Sequence, residues 1–195
     1  GMVLGNAKGY TKLVMQRFRE IGYKPQLFLL NAADCGVPQK RERVFFCALR
    51  DDIDKPALQL APKHRWISAG EACSDVQLLS EDEKLETLPT NTDKLFWKAT
   101  KPGADYSAAC LKARGKPSFF NNARLDCRLP SNTLTAGHSA FNHWDDMRKL
   151  TYREWKRLGS FPDDYHAKTD KVGKYMIGMS VPPKMTEVVA RAVCE

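Results

Sequence analysis

No stretch of this 195-residue chain approaches the roughly 18 apolar residues of a membrane span, and no leader-like pattern opens it. Neither a bilayer nor a secretory route is therefore expected. The six cysteines, Cys35, Cys47, Cys73, Cys110, Cys127 and Cys194, never fall in Cys-x-x-Cys spacing, which reads as reduced thiols in the cytoplasm. His138 and His143, with Cys110 and Cys127, lack zinc-ligand spacing, so no metal is expected. There is no internal repeat. With 43% hydrophobic residues, the composition is that of an ordinary globular protein able to bury a core.

Acidic charge is scarce except in one stretch. The net charge is +8, distributed as +6 over residues 1–50, −6 over 51–93, +6 over 94–149 and +2 over 150–195. This basic–acidic–basic order suggests surfaces facing a polyanion, with the acidic stretch turned away.

The most informative segment is Asn31-Ala-Ala-Asp-Cys-Gly-Val-Pro-Gln-Lys-Arg-Glu-Arg43. Short apolar runs, Leu27–Leu30 before it and Val44–Leu49 after it, read as buried strands, with Asp34, Gly36 and Pro38 punctuating the connection. Period two places Gln39, Arg41 and Arg43 on one face, two guanidiniums and an amide forming a donor array for an anion or a polar base edge. In isolation the same pattern would be two surface arginines at a strand end.

Around this hairpin, Lys8–Ile21 has apolar residues at helical spacing and ends at Gly22. Strands are expected over 24–31 and 42–49. Ser68-x-x-Glu71, Ser80-x-x-Glu83 and Thr151-x-x-Glu154 are capping-box signatures, and short helices are expected over Thr92–Ala99 and Ala104–Ala113. Residues 115–137 read as loop and short strand. His143-Trp144 reads as packing, with base stacking as the alternative. Gly178-Met-Ser-Val-Pro-Pro183 reads as a turn opening a closing amphipathic helix marked by Met185, Val188, Val189 and Ala192, where Gly178 permits close backbone approach and Ser180 offers a hydroxyl and an amide to a carboxylate.

Three blocks together resemble the C5-cytosine-specific DNA methyltransferase family: Leu30–Phe45; Arg148–Pro162 with its approach Pro130-Ser-Asn-Thr-Leu-Thr135; and Gly178–Pro183. The departures are Cys35, where the family more often has an aromatic residue, and Met179, where it usually has Asn. The resemblance implies that Arg43 reaches a flipped cytosine, Arg41 helps hold the catalytic pocket and Gln39 braces them. It implies that Gly178, Ser180 and Val181 help close the S-adenosyl-L-methionine pocket. It also places a target-recognition domain in the middle zone, where Lys112, Arg114 and Thr133 are the candidate nucleic-acid contacts.

The family's nucleophile lies in Pro-Cys, its acid in Glu-Asn-Val and its main cofactor cradle in a glycine-rich loop. None of these motifs occurs in the sequence, and the resemblance implies that residue 1 falls just after the Glu-Asn-Val position. Cys35 lies in a different block and is not a substitute nucleophile. The expected fold is α/β, the C-terminal part of a Rossmann-like S-adenosylmethionine-dependent methyltransferase fold with an inserted small target-recognition domain. Its divisions would be 1–60 as the flank of the catalytic domain, 61–147 as the recognition domain and 148–195 as the return with the closing helix. The implied function is the DNA-recognising, pocket-completing half of a DNA (cytosine-5)-methyltransferase of restriction-modification type, in a bacterial or phage-infected cell. Its partners would be double-stranded DNA and an N-terminal catalytic half, without which the chain would be inactive. A tRNA cytosine-5 methyltransferase fragment and a non-catalytic DNA-binding module are the alternatives.

Overall fold

The computed structural model describes residues 8–76, 78–119, 122–136 and 141–194. His138, Asn121, Gly137 and the first seven residues lie outside them. Helix α1 (Lys8–Glu20) leads into the antiparallel hairpin of β1 (Tyr23–Asn31) and β2 (Glu42–Arg50), with Leu27 opposite Phe46 and Leu30 opposite Arg43. Gly22 ends the helix with φ +83°, a left-handed conformation that costs glycine little. The expected bounds of all three elements agree with the structure to within about a residue.

Four short helices follow: α2 (Ala69–Ala72), α3 (Glu81–Glu86), α4 (Asn91–Phe96) and α5 (Ser107–Arg114). Ser80 and Glu83 form the reciprocal box that the sequence signals. At Ser68 only half of it forms, because the Glu71 carboxylate instead pairs with Arg65. A box spelled with aspartate, Thr90/Asp93, caps α4. The two-residue strands β3 (Ala123–Arg124) and β4 (Phe141–Asn142) pair in parallel. The chain closes with α6 (Tyr152–Leu158), α7 (Asp170–Met179) and α8 (Pro183–Cys194). None of the described helices is long and apolar enough to cross a membrane.

Helix α7 was not expected from the sequence, and its glycines explain why. A glycine inside a helix costs about 1 kcal/mol relative to alanine, so Gly173 and Gly178 mask the helical signal. Both are required by packing. A Cβ at Gly173 would lie 2.4 Å from the Tyr152 ring, and one at Gly178 would lie 2.4 Å from the Ala136 nitrogen. Gly178 thus does allow close backbone approach, to the chain's own Thr135–Ala136 segment.

Packing divides the molecule differently from the chain order. The largest core joins Ala123, Leu125, Leu134 and Phe141 of the middle zone to Leu150, Trp155, Leu158 and Ile177. A second core seats Met185 of α8 against Leu30, Ala32, Cys35 and Val37 at the hairpin tip. A third, of Phe96, Trp97, Tyr106 and Cys110, holds α4 to α5. The middle zone therefore packs with α6 and α7, while α8 packs with the hairpin.

Candidate functional site

The connection between β1 and β2 is pinned at both ends by one side chain. Asn31 Oδ1 accepts from the Ala33 and Arg41 amides, each at 3.2 Å, and starts a 3₁₀ turn over Ala32–Cys35. Gly36 ends that turn at φ +76°. Residues Pro38–Lys40 then run beside Ser131: the Ser131 amide donates to the Pro38 carbonyl at 3.0 Å, and the Lys40 amide donates to the Ser131 carbonyl at 2.8 Å. The hairpin tip and the Pro130–Thr135 block, about ninety residues apart in sequence, are thus stitched edge to edge.

On this frame the three candidate catalytic side chains have different surroundings. Gln39 is fully buried; its Nε2 donates to the Leu158 carbonyl and its Oε1 accepts from the Leu134 amide. Arg41 is also buried, and donates from Nη1 to the Leu134 carbonyl at 2.6 Å and from Nη2 to the carbonyls of Gly178 and Ser180, both at 2.8 Å. Burial, and then the neighbouring Arg43 charge, lower its pKa to about 10, so it remains a cation at neutral pH. Arg43 is half-buried, its recorded side-chain bond runs to the Glu42 carbonyl at 2.7 Å, and no carboxylate pairs with it among the described residues. Burial depresses its pKa as well. The expected array of two free guanidiniums and an amide is corrected: the Gln39 amide and both terminal nitrogens of Arg41 are bonded to backbone groups inside the chain, while the buried Arg41 Nε has no partner among the described residues.

Ser180 also departs from the sequence reading. It caps the end of α7 instead of starting a helix, and its amide and hydroxyl donate to the Met176 and Ile177 carbonyls. Those groups are therefore not available to a carboxylate. The donor chemistry of this block does not fit a cofactor's carboxylate; what it exposes is apolar, with Met179 65% and Val181 38% accessible.

Of the nucleic-acid candidates, Lys112 is exposed on the last turn of α5. Arg114 is exposed too, but its guanidinium lies over the rings of Phe96 and Phe119 at 5.2 and 5.9 Å. Thr133 donates to the Lys40 carbonyl at 2.7 Å, so it positions the hairpin tip. Trp144 is buried with its ring 3.9 Å from that of His143, a packing arrangement. Cys35 is buried, and burial followed by the Asp34 charge raises its thiol pKa to about 11, the opposite of what a nucleophile needs. Among the described residues no group of three or more His, Cys, Asp or Glu is placed to hold a metal ion.

Sequence reasoning missed a buried polar network that braces the middle zone. Asp93, fully buried, accepts from Lys149 Nζ at 2.9 Å and from the Tyr106 hydroxyl at 3.0 Å. Burial acts to raise the Asp93 pKa, but hydrogen bonds from Lys149 and Thr90 outweigh it and leave the carboxyl below its ordinary value. Beside it Glu154, also fully buried, receives both terminal nitrogens of Arg148 at 2.8 and 2.9 Å. The sequence signals for this network are two capping boxes, Thr151-x-x-Glu154 and, with the shorter acid, Thr90-x-x-Asp93.

Comparison with known proteins gives a consistent result. The family described as C-5 cytosine-specific DNA methylase matches residues 1–195. The chain is 29% identical over 193 residues to the type II methyltransferase M1.HphI of Haemophilus parahaemolyticus, covering 92% of this chain and 50% of that protein. It is 30% identical over 184 residues to M.BbvI of Brevibacillus brevis, covering 88% and 49%. The chain thus spans about half the length of the curated relatives it matches. Among solved structures it resembles a mutant of Spodoptera frugiperda DNMT2, with TM-score 0.65, 15% identity and coverage of 95% of this chain and 62% of that one. It also resembles the Entamoeba histolytica methyltransferase EhMeth, with TM-score 0.62, 13% identity and coverage of 94% and 57%. The fold is that of S-adenosylmethionine-dependent methyltransferases.

Proposed function

Because this chain belongs to the C-5 cytosine-specific DNA methylase family, we propose that it is the DNA-recognising portion of a cytosine-5 methyltransferase and completes the pocket where C5 is methylated. In this reading it is the C-terminal half of the enzyme, with residues 61–147 as the target-recognition domain and double-stranded DNA as the substrate. The observation that carries it is the Arg41 clamp. One buried guanidinium gathers Leu134, Gly178 and Ser180, drawing three separate sequence blocks to one point beside Arg43.

S-adenosylmethionine supplies the methyl group in this family. Its polar cradle would come from the complementary half, since Ser180 is committed to α7. The chain's own contribution is to hold a cation against the base. A flipped cytosine attacked at C6 builds negative charge along its N3–O2 edge, and Arg43, half-buried at the hairpin mouth with no carboxylate partner among the described residues, would be the group that meets it. The residues that fix Arg43 there are Asn31, which locks the loop, and Arg41, which locks the loop to the rest of the chain.

The DNA-binding part of this reading is tested by salt. Phosphate contacts release counterions, so log K should fall with log salt at a slope of roughly −0.9 per contact on B-DNA. Charge reversal at Lys112 and Arg114 is expected to flatten that slope by more than reversal at Lys55 and Lys63. A circular dichroism check is needed for Arg114, whose cation covers two rings. Equal effects from the two pairs would remove the 94–149 surface as the DNA face.

A further inference from the structure

Three of the four tryptophans, Trp97, Trp144 and Trp155, are buried, whereas Trp66 is 47% exposed. Its indole is nevertheless fixed in place. Trp66 Nε1–H donates to Asp34 Oδ1 at 2.8 Å, tying the ring to the 3₁₀ turn of the catalytic hairpin. Two residues earlier, the His64 amide donates to the Asp34 carbonyl at 2.9 Å, so the segment is laid across the hairpin tip by two bonds. Lys40 Nζ stands 5.4 Å from the centre of the Trp66 ring. The Lys40 backbone is held by Ser131 on one side and Thr133 on the other, and its ammonium has no carboxylate partner among the described residues. Arg65 is paired with Glu71, and the Asp34 carboxylate is committed to the indole.

A half-exposed aromatic ring held by its bond to Asp34, an ammonium 5.4 Å from its centre with no carboxylate partner among the described residues, and Arg43 on the same hairpin together have the chemistry of a nucleotide platform. The ring offers a π-face to a base, and the ammonium a charge to its phosphate. A paired base inside a duplex presents no face to such a ring. A base unstacked when a neighbour is extruded does.

We infer that Trp66 and Lys40 form a stacking platform for an unstacked base of the DNA opened at the hairpin tip, a contact that favours the opened over the paired duplex. The inference rests on the DNA-methylase reading above and adds a positioning residue to it.

The test uses the 195-residue chain and two duplexes of one sequence, one fully paired and one with a mismatch that loosens a cytosine. Binding of the mismatched duplex should quench tryptophan emission in the wild type, and Trp66→Leu should abolish that quenching. Trp66→Leu should weaken binding of the mismatched duplex by roughly 5- to 150-fold, the span of base–aromatic stacking, and change paired-duplex affinity by only about twofold. Trp66→Phe, which keeps a ring but loses the bond to Asp34, should recover most of the preference. Trp66→Leu binding both duplexes like the wild type overturns the inference while leaving the DNA reading intact, and so does an equal loss on both. A wild-type chain that binds neither duplex overturns the DNA reading and the platform with it.

Discussion

Arg41→Ala is expected to lower the unfolding free energy by about 3–5 kcal/mol, because it strips charged donors from three carbonyls that stay partly or wholly buried. Hydrogen bonds to charged groups contribute about 1.5–3 kcal/mol each, and relaxation around the lost side chain recovers part of the sum. Against the roughly 5–15 kcal/mol that holds a typical domain together, this is a large share. Urea denaturation followed by circular dichroism measures it. Arg41→Lys should restore only part, since one ammonium cannot span the fork from Leu134 on one nitrogen to Gly178 and Ser180 on the other. An unfolding midpoint for Arg41→Ala equal to that of the wild type would mean that the clamp is not what joins the three blocks.

Arg43→Ala should act on a different quantity. In a full-length methylase carrying this chain, kcat should fall by about 10²–10³, the usual cost of removing one donor from a developing negative charge. A guanidinium at the N3–O2 edge stabilises the charged transition state more than the neutral base, so the loss appears in turnover. DNA affinity should change much less, because phosphate contacts supply most of it. Stability should also change little, since the recorded side-chain bond of Arg43 goes to the adjacent Glu42 carbonyl. Near-normal turnover with lost duplex binding would identify Arg43 as a phosphate clamp. The two arginines, two residues apart, are thus separated by experiment: one governs stability and the other rate.

That separation was only half legible in the sequence. The hairpin could be read because its strands are short β-forming runs and its connection carries Asp34, Gly36 and Pro38, all local signals. The capping boxes at Ser80 and Thr151 are equally local, and both form. What sequence could not give is the fate of side chains whose partners lie far along the chain. Arg41 finds its acceptors 93, 137 and 139 residues away, and Gln39 bonds across 119 and 95. Period two groups three donors on one face, but it cannot show that Gln39 and Arg41 bond inside the chain. Ser180 was read as a helix start because α7 was hidden by its two glycines, and the proline pair after it suggested a beginning where the chain also has an end. Trp66 carried no motif; its meaning comes from Asp34 and Lys40, which only the fold brings to it.

The most direct test of the central claim is methyl transfer itself. The 195-residue chain is incubated with labelled S-adenosylmethionine and cytosine-containing DNA, alone and together with a polypeptide carrying the family's Pro-Cys, Glu-Asn-Val and glycine-rich segments. The expected result is no label in DNA from the chain alone, and 5-methylcytosine when the complementary half is supplied. Incorporation by the chain alone would contradict the account, because a thiolate from within these 195 residues would then be the nucleophile.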